Sequence, residues 1–143
     1  MPTVEFHILS SAGDDARLRH ACGLVEQAQQ HSQSVFVRFN NEGDLRRFDE
    51  LLWTFRDHAF IPHELMSPQA PSHPRIVAVL GHNEALPLGY TSLINIADDL
   101  PAQLDDTTQI YEVVDGDAQR KQQARERYKQ YRDKGCALET INA

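Results

Sequence analysis

Long hydrophobic runs are missing from this chain: no stretch of its 143 residues approaches the roughly 20 apolar residues that a membrane-spanning helix needs. The segment MPTVEFHILSSAGDD carries no basic start followed by an apolar core, so no secretory leader is expected and a cytoplasmic location is predicted. Cysteine is scarce. Cys22 and Cys136 are isolated, without CxxC spacing, and in a reducing compartment they are expected to stay unpaired, one buried and one near the C-terminus. Internal repeats and low-complexity tracts are also absent, which excludes solenoids and disordered arms.

The motifs of catalysis are missing too. After the first predicted strand the chain reads Ser10-Ser11-Ala12-Gly13-Asp14-Asp15, neither GxxxxGK[ST] nor GxGxxG, and two carboxylates at a helix start repel a phosphate. Seven histidines raise the question of metal, yet His58 and His63 are five apart, and His20 and His31 eleven apart on one helix. No HExxH or Cys/His cluster results, and scattered histidines are the simpler reading. No GxSxG elbow presents a serine, and Cys22 falls mid-helix with no activating neighbour in sequence. Hence no catalytic residue, no metal and no cofactor is expected.

What is present is an ordinary globular composition, 41% hydrophobic and 24% charged, on a length that suits one domain over residues 1–143. Thr3–Leu9 alternates like a strand, and a helix over 14–31 follows with Leu18, Ala21, Cys22, Val25 and Ala28 on one face. A strand at 34–39 leads to a helix over 42–53 with Leu45, Phe48, Leu51 and Leu52 inward. Pro62 argues against a central strand at 54–63, leaving an ordered loop or an edge strand, and three prolines make 64–74 an exposed loop. Strands are predicted at 75–80, 90–96 and 110–114, with a brief helix between the Asp98-Asp99 and Asp105-Asp106 pairs. The last helix runs from Gly116-Asp117 to Gly135. This order predicts an α/β fold with a mostly parallel sheet flanked by helices.

Positive charge is the uneven quantity. Of fourteen Lys and Arg in the chain, seven (Arg120, Lys121, Arg125, Arg127, Lys129, Arg132 and Lys134) lie within residues 120–134 beside only Glu126 and Asp133. The segment carries +5 and the remainder −12. A basic island on an acidic body suits one specific anion better than nucleic acid at large, which needs a broadly positive surface. At helical spacing Lys121, Arg125, Tyr128 and Arg132 form one stripe, with Ala124 and Tyr131 beside it toward the sheet. Most such runs are solvated faces. A cationic stripe edged by a tyrosine nevertheless suits an acidic peptide with an apolar end. A second constellation, Leu52-Trp53-Thr54-Phe55 with Phe60-Ile61-Pro62-His63, is either a lid on the core or an interface anchor.

Taken together, Leu52-Trp53, Phe60-Ile61-Pro62-His63 and the run Ala124-Arg-Glu-Arg-Tyr-Lys-Gln-Tyr-Arg132 followed by Gly135 resemble the chi subunit family of bacterial DNA polymerase III. The likeness extends to chain length and element order. It implies a non-catalytic fold similar to nucleotide-binding domains without their phosphate-binding loop, in a bacterial protein at the replisome. It further implies a bridge between the clamp loader and single-stranded-DNA-binding protein (SSB), whose acidic C-terminal tail would be held by Val114, Lys121, Arg125 and Tyr128. The implied second face, Trp53 and Phe60, binds the psi subunit, with an accessory helicase as the alternative occupant. DNA would then be met only through SSB, and no membrane is involved; Arg120, Arg127, Lys129, Arg132 and Lys134 would supply long-range attraction. Two rivals remain open, a direct single-stranded nucleic-acid binder using the same basic helix, and a small nucleotide-dependent enzyme.

Overall fold

The computed structural model describes residues 2–54, 62–65, 77–82, 89–101 and 104–143. Among these, seven strands form one sheet: β1 (Thr3–Ile8), β2 (Val35–Phe39), β3 (His63–Leu65), β4 (Ala78–His82), β5 (Ser92–Asn95), β6 (Gln109–Val114) and β7 (Ala137–Asn142). Their spatial order is β3-β4-β2-β5-β6-β1-β7, and every neighbouring pair is parallel. Parallel neighbours need crossovers, and the helices α1 (Asp14–Gln30), α2 (Glu42–Thr54) and α3 (Ala118–Asp133) provide them. A short 3-10 turn, Leu104–Asp106, precedes β6.

Alternation along the strands sorts the core into two layers. Val35, Val37 and Phe39 of β2, Ala78 and Leu80 of β4 and Ile94 of β5 meet Leu18, Cys22 and Val25 of α1 and Leu45, Phe48 and Leu52 of α2. The residues between them, with Val4 and Phe6 of β1 and Ile110 and Val114 of β6, meet Ala124 and Tyr131 of α3. Helices therefore cover both faces, α1 and α2 on one and α3 on the other.

Strand β7 falls outside the predicted set, and β3 starts at the end of 54–63, where an edge strand is one of two expectations, and runs beyond it. Pro62, lacking an amide donor, precedes β3 and offers its carbonyl to Val77 N at 2.8 Å, as an edge position allows. Glu64 and Leu65, assigned from sequence to the proline-rich loop, belong to that edge strand; residues 66–74 lie outside the described residues. At the other end the short tail 137–143 is a strand. It is reached through a tight helix stop in which Gly135 adopts φ 91°, while its amide bonds Arg132 O and the Cys136 amide bonds Tyr131 O.

Helix α3 is too polar to dock by apolar burial alone. Its inward residues are Ala124, Arg127 and Tyr131, and fully buried Glu112 of β6 receives the last two. Arg127 Nη2 lies 3.1 Å from Glu112 Oε1, and the Tyr131 hydroxyl donates to Oε2 at 2.7 Å. Asn95 Nδ2 donates to the same Oε2 at 2.8 Å, and Arg38 Nη1 donates to Asn95 Oδ1 at 3.0 Å. Burial, then the neighbouring carboxylate, push the Tyr131 phenol far above its ordinary pKa, so it remains a donor. Glu112→Ala strands the Arg127 guanidinium in the interior and is expected to cost about 3–5 kcal/mol in urea unfolding. Tyr131→Phe, which leaves the ion pair intact, is expected to cost only about 1–2 kcal/mol; equal losses would refute this ranking.

Candidate functional site

Because Arg127 and Tyr131 turn inward, the stripe half a turn away faces outward over the end of the sheet. There a groove of about 370 Å³ opens between α3, β1, β6 and β7. Its apolar lining comes from Phe6 and Ile8 of β1, Val114 of β6 and Ala124 of α3, with Thr140 of β7 at the side. Lys121, Arg125 and Tyr128 complete it. The Tyr128 ring tilts against Phe6 at 5.3 Å between centroids, which fixes the wall of the groove. Val114, Lys121, Arg125 and Tyr128, singled out from sequence, thus line one groove. Phe6, Ile8 and Thr140 were not singled out, although the alternation of β1 already places Val4, Phe6 and Ile8 on one side.

The bases around the groove divide into two groups. Arg127 is buried and paired with Glu112, and its Nη1 also donates to Asp98 O at 2.9 Å. Arg120 grips Asp115 through two bonds, Nε to Oδ1 at 2.9 Å and Nη2 to Oδ2 at 2.6 Å. These two are structural, which corrects their assignment to long-range attraction: a buried carboxylate has drawn each inward. Lys121, Arg125, Lys129, Arg132 and Lys134 are exposed. Among the described residues, the side chains of Lys121 and Arg125 make neither hydrogen bond nor ion pair. A groove with an apolar floor and two uncommitted cations can hold an anionic group beside an apolar one.

In nucleotide-binding α/β folds the phosphate lies where strand ends meet helix N-termini, and here a side chain takes the amide donor at such a helix start. Gly13, at φ 142°, starts α1, and its amide donates to Asp115 Oδ2 at 2.7 Å. The loop after β6 closes on the loop after β1, with Gly116 N on Ser11 O at 3.0 Å. Burial opposes ionisation of Asp115, but the bonds from Arg120 and Gly13 outweigh it and hold the carboxyl at about 2. A phosphate would have to displace a carboxylate already satisfied by the same donors.

On the opposite face of the sheet, Trp53 at the end of α2 is 52% exposed rather than sealing the core. Its ring lies 4.7 Å from that of His63, which bonds Asp49 at 2.8 Å. Beside it a hollow of about 590 Å³ is lined by Leu18, Arg47, Leu51, Trp53 and others from α1 and α2. Phe60, its partner in the sequence reading, lies outside the described residues. Both cysteines are buried; burial pushes the Cys22 thiol up to about 12 against the opposing pull of Arg19, and raises Cys136 as well. Among the described residues no cluster of three or more His, Cys, Asp or Glu could hold a metal ion, and no helix is long and apolar enough to cross a membrane.

Residues 1–139 match the family described as DNA polymerase III chi subunit, HolC. The chain belongs to this family. Proteins named DNA polymerase III subunit chi from Pseudomonas aeruginosa and Haemophilus influenzae are each 31% identical to it, over 97% and 98% of this chain and 95% and 96% of theirs. The crystal structure of T4 UvsW superposes with a TM-score of 0.65 at 9% identity, over 98% of this chain and 41% of that one. That likeness concerns the fold alone. The chi family comprises accessory subunits of DNA replication, and this member's α/β sheet carries a helix start whose amide is taken by Asp115 and an open cationic groove.

The Asp115 clasp predicts an acid limit. A carboxyl whose folded pKa is depressed contributes stability above its unfolded pKa, near 4, and loses it as pH falls toward the folded value of about 2. Wild type should therefore lose on the order of 2 kcal/mol between pH 4 and pH 2 that Asp115→Asn does not lose. Parallel pH curves for the two proteins would refute the clasp.

Proposed function

We propose that this chain is a non-catalytic, single-domain connector that links the clamp loader, through psi, to the acidic C-terminal tail of SSB during replication. It would act in the cytoplasm at the replisome and meet DNA through SSB. The observation that supports this best is the convergence of Val114, Lys121, Arg125 and Tyr128 on one groove with uncommitted cations over an apolar floor. An SSB tail supplies the complementary groups: carboxylates along its length and an apolar last residue with a free carboxylate. Arg125 and Lys121 would hold the terminal carboxylate, with Arg125 offering a planar fork and Lys121 a point charge. Val114, Phe6 and the Tyr128 ring would receive the apolar side chain.

Exposed ion pairs contribute only on the order of 0.2–1 kcal/mol each, so a single tail binds weakly and salt weakens it further. Several tails presented on one coated strand raise the effective concentration at the groove, and with it the avidity. Trp53, on the opposite face, would anchor psi together with Phe60, leaving both partners free to bind together.

Titration of a fluorescent SSB tail peptide tests the groove. Arg125→Ala should weaken binding about threefold to fivefold, or up to about 1 kcal/mol, and Lys121→Ala less, whereas unchanged affinity in Arg125→Ala would remove the groove from consideration. Trp53→Ala should abolish co-purification with psi while leaving the tail titration unaltered; loss of both would mark Trp53 as a folding residue. Tight binding of SSB-free DNA at physiological salt would favour the direct nucleic-acid reading.

A further inference from the structure

Strand β7 is an unguarded edge. It pairs with β1 on one side only, in the register Val4 with Leu138, Phe6 with Thr140 and Ile8 with Asn142. Five of its six residues are exposed and Leu138 is half-buried. Among the described residues, no helix or strand covers its outer side. Sheet edges of this length are commonly blunted by lysine, proline or a bulge, yet β7 reads Ala-Leu-Glu-Thr-Ile-Asn, with one charge and no proline.

The direction of its unpaired groups follows from the ladder. The Ala143 amide bonds Ile8 O at 2.9 Å, so residues 143, 141 and 139 turn their backbone groups toward β1. In a parallel strand both groups of a residue point the same way and successive residues alternate. The amides and carbonyls of Leu138, Thr140 and Asn142 consequently point outward from the sheet. Thr140 belongs both to this row and to the wall of the cationic groove, so the groove opens directly onto the free edge.

We propose that an acidic peptide whose terminal residue sits in the groove continues along β7 as an added strand, its backbone bonding the outward groups of Thr140 and its neighbours. This rests on the groove reading given above and extends it. The occupant is identified by charge and continuity. Lys121 and Arg125 line the groove, and Lys129, Arg132 and Lys134 are further exposed bases of the α3 segment, favouring an acidic chain, while a second copy of this protein, at net charge −7, would bring an acidic body to the same edge. Strand addition supplies main-chain bonds that do not depend on the peptide's side chains. It explains how a groove with two free cations could hold an extended tail in one register.

Two peptides separate the edge from the groove: the last three residues of an SSB tail, which occupy the groove alone, and the last nine, which also reach β7. Wild type should bind the longer peptide about tenfold more tightly at high salt, where the difference in charge is screened. Thr140→Pro removes one outward amide while leaving the β1 ladder intact. It should erase most of that advantage, whereas Thr140→Ala, which alters the groove wall but keeps the amide, should retain it. In unmodified protein, hydrogen exchange at the Thr140 and Asn142 amides should slow at least fivefold on adding the longer peptide, and this readout does not depend on the proline variant folding. Unchanged exchange, or equal affinity of the two peptides at high salt, overturns the added strand while leaving the groove intact. Insensitivity of both peptides to Arg125→Ala overturns the groove reading itself.

Discussion

The buried pairing of Glu112 with Arg127 decides how helix α3 sits on the sheet. The helix presents only Ala124, Arg127 and Tyr131 to the interior, far less apolar surface than α1 or α2 brings to its own face. Removing an arginine and a glutamate from water is costly. The pair is tolerable because Tyr131 and Asn95 satisfy the carboxylate while Asp98 O takes a further guanidinium proton. Such a network defines rotation as well as attachment: a helix turned by one residue would take both Arg127 and Tyr131 away from Glu112. With rotation fixed, Lys121, Arg125 and Tyr128 have one place to go, the rim of the groove.

The same logic divides the charge of the segment 120–134. Two of its bases face buried carboxylates, Arg127 on Glu112 and Arg120 on Asp115, and spend their charge inside the fold. Five remain in solvent beside exposed Glu126 and Asp133. The field at the groove is therefore weaker than the count of bases suggests, and it is concentrated where Lys121 and Arg125 lie without internal partners. Asp115 has a second effect, since by accepting the Gly13 amide it takes a backbone donor at the start of α1 that an anion would otherwise use. Asp115 thus both cancels part of the basic helix and takes the amide at the start of α1.

The central strands and the helices were legible because their signals are local. Alternation marked β1, short apolar β-branched runs marked β2, β4, β5 and β6, and apolar spacing marked α1 and α2. Strand β7 was not legible because an edge strand buries little and so carries no alternation; its pairing with β1 is a long-range fact that a mostly exposed strand does not announce. Stripe geometry on α3 correctly separated Tyr131 from Lys121 and Arg125, since 100° per residue is enough to tell in from out. It could not show that Arg127, next to Tyr128, is an inward residue, because a charged side chain reads as surface until its buried partner is known. Glu112, inside an otherwise ordinary strand, gave no sign of being that partner.

Placing the cationic groove and Trp53 on opposite faces of the sheet has an energetic consequence for the proposed connector. A parallel sheet lies between the two surfaces, and no described residue lines both hollows. Energetic effects at separate sites without shared partners are close to additive. Occupancy of one face then need not alter affinity at the other, and the molecule would work as a tether without a conformational switch. The strength of the connection would come from geometry and local concentration. A weak groove multiplied by many tails on one strand can hold firmly while each contact exchanges, which a single tight site could not do.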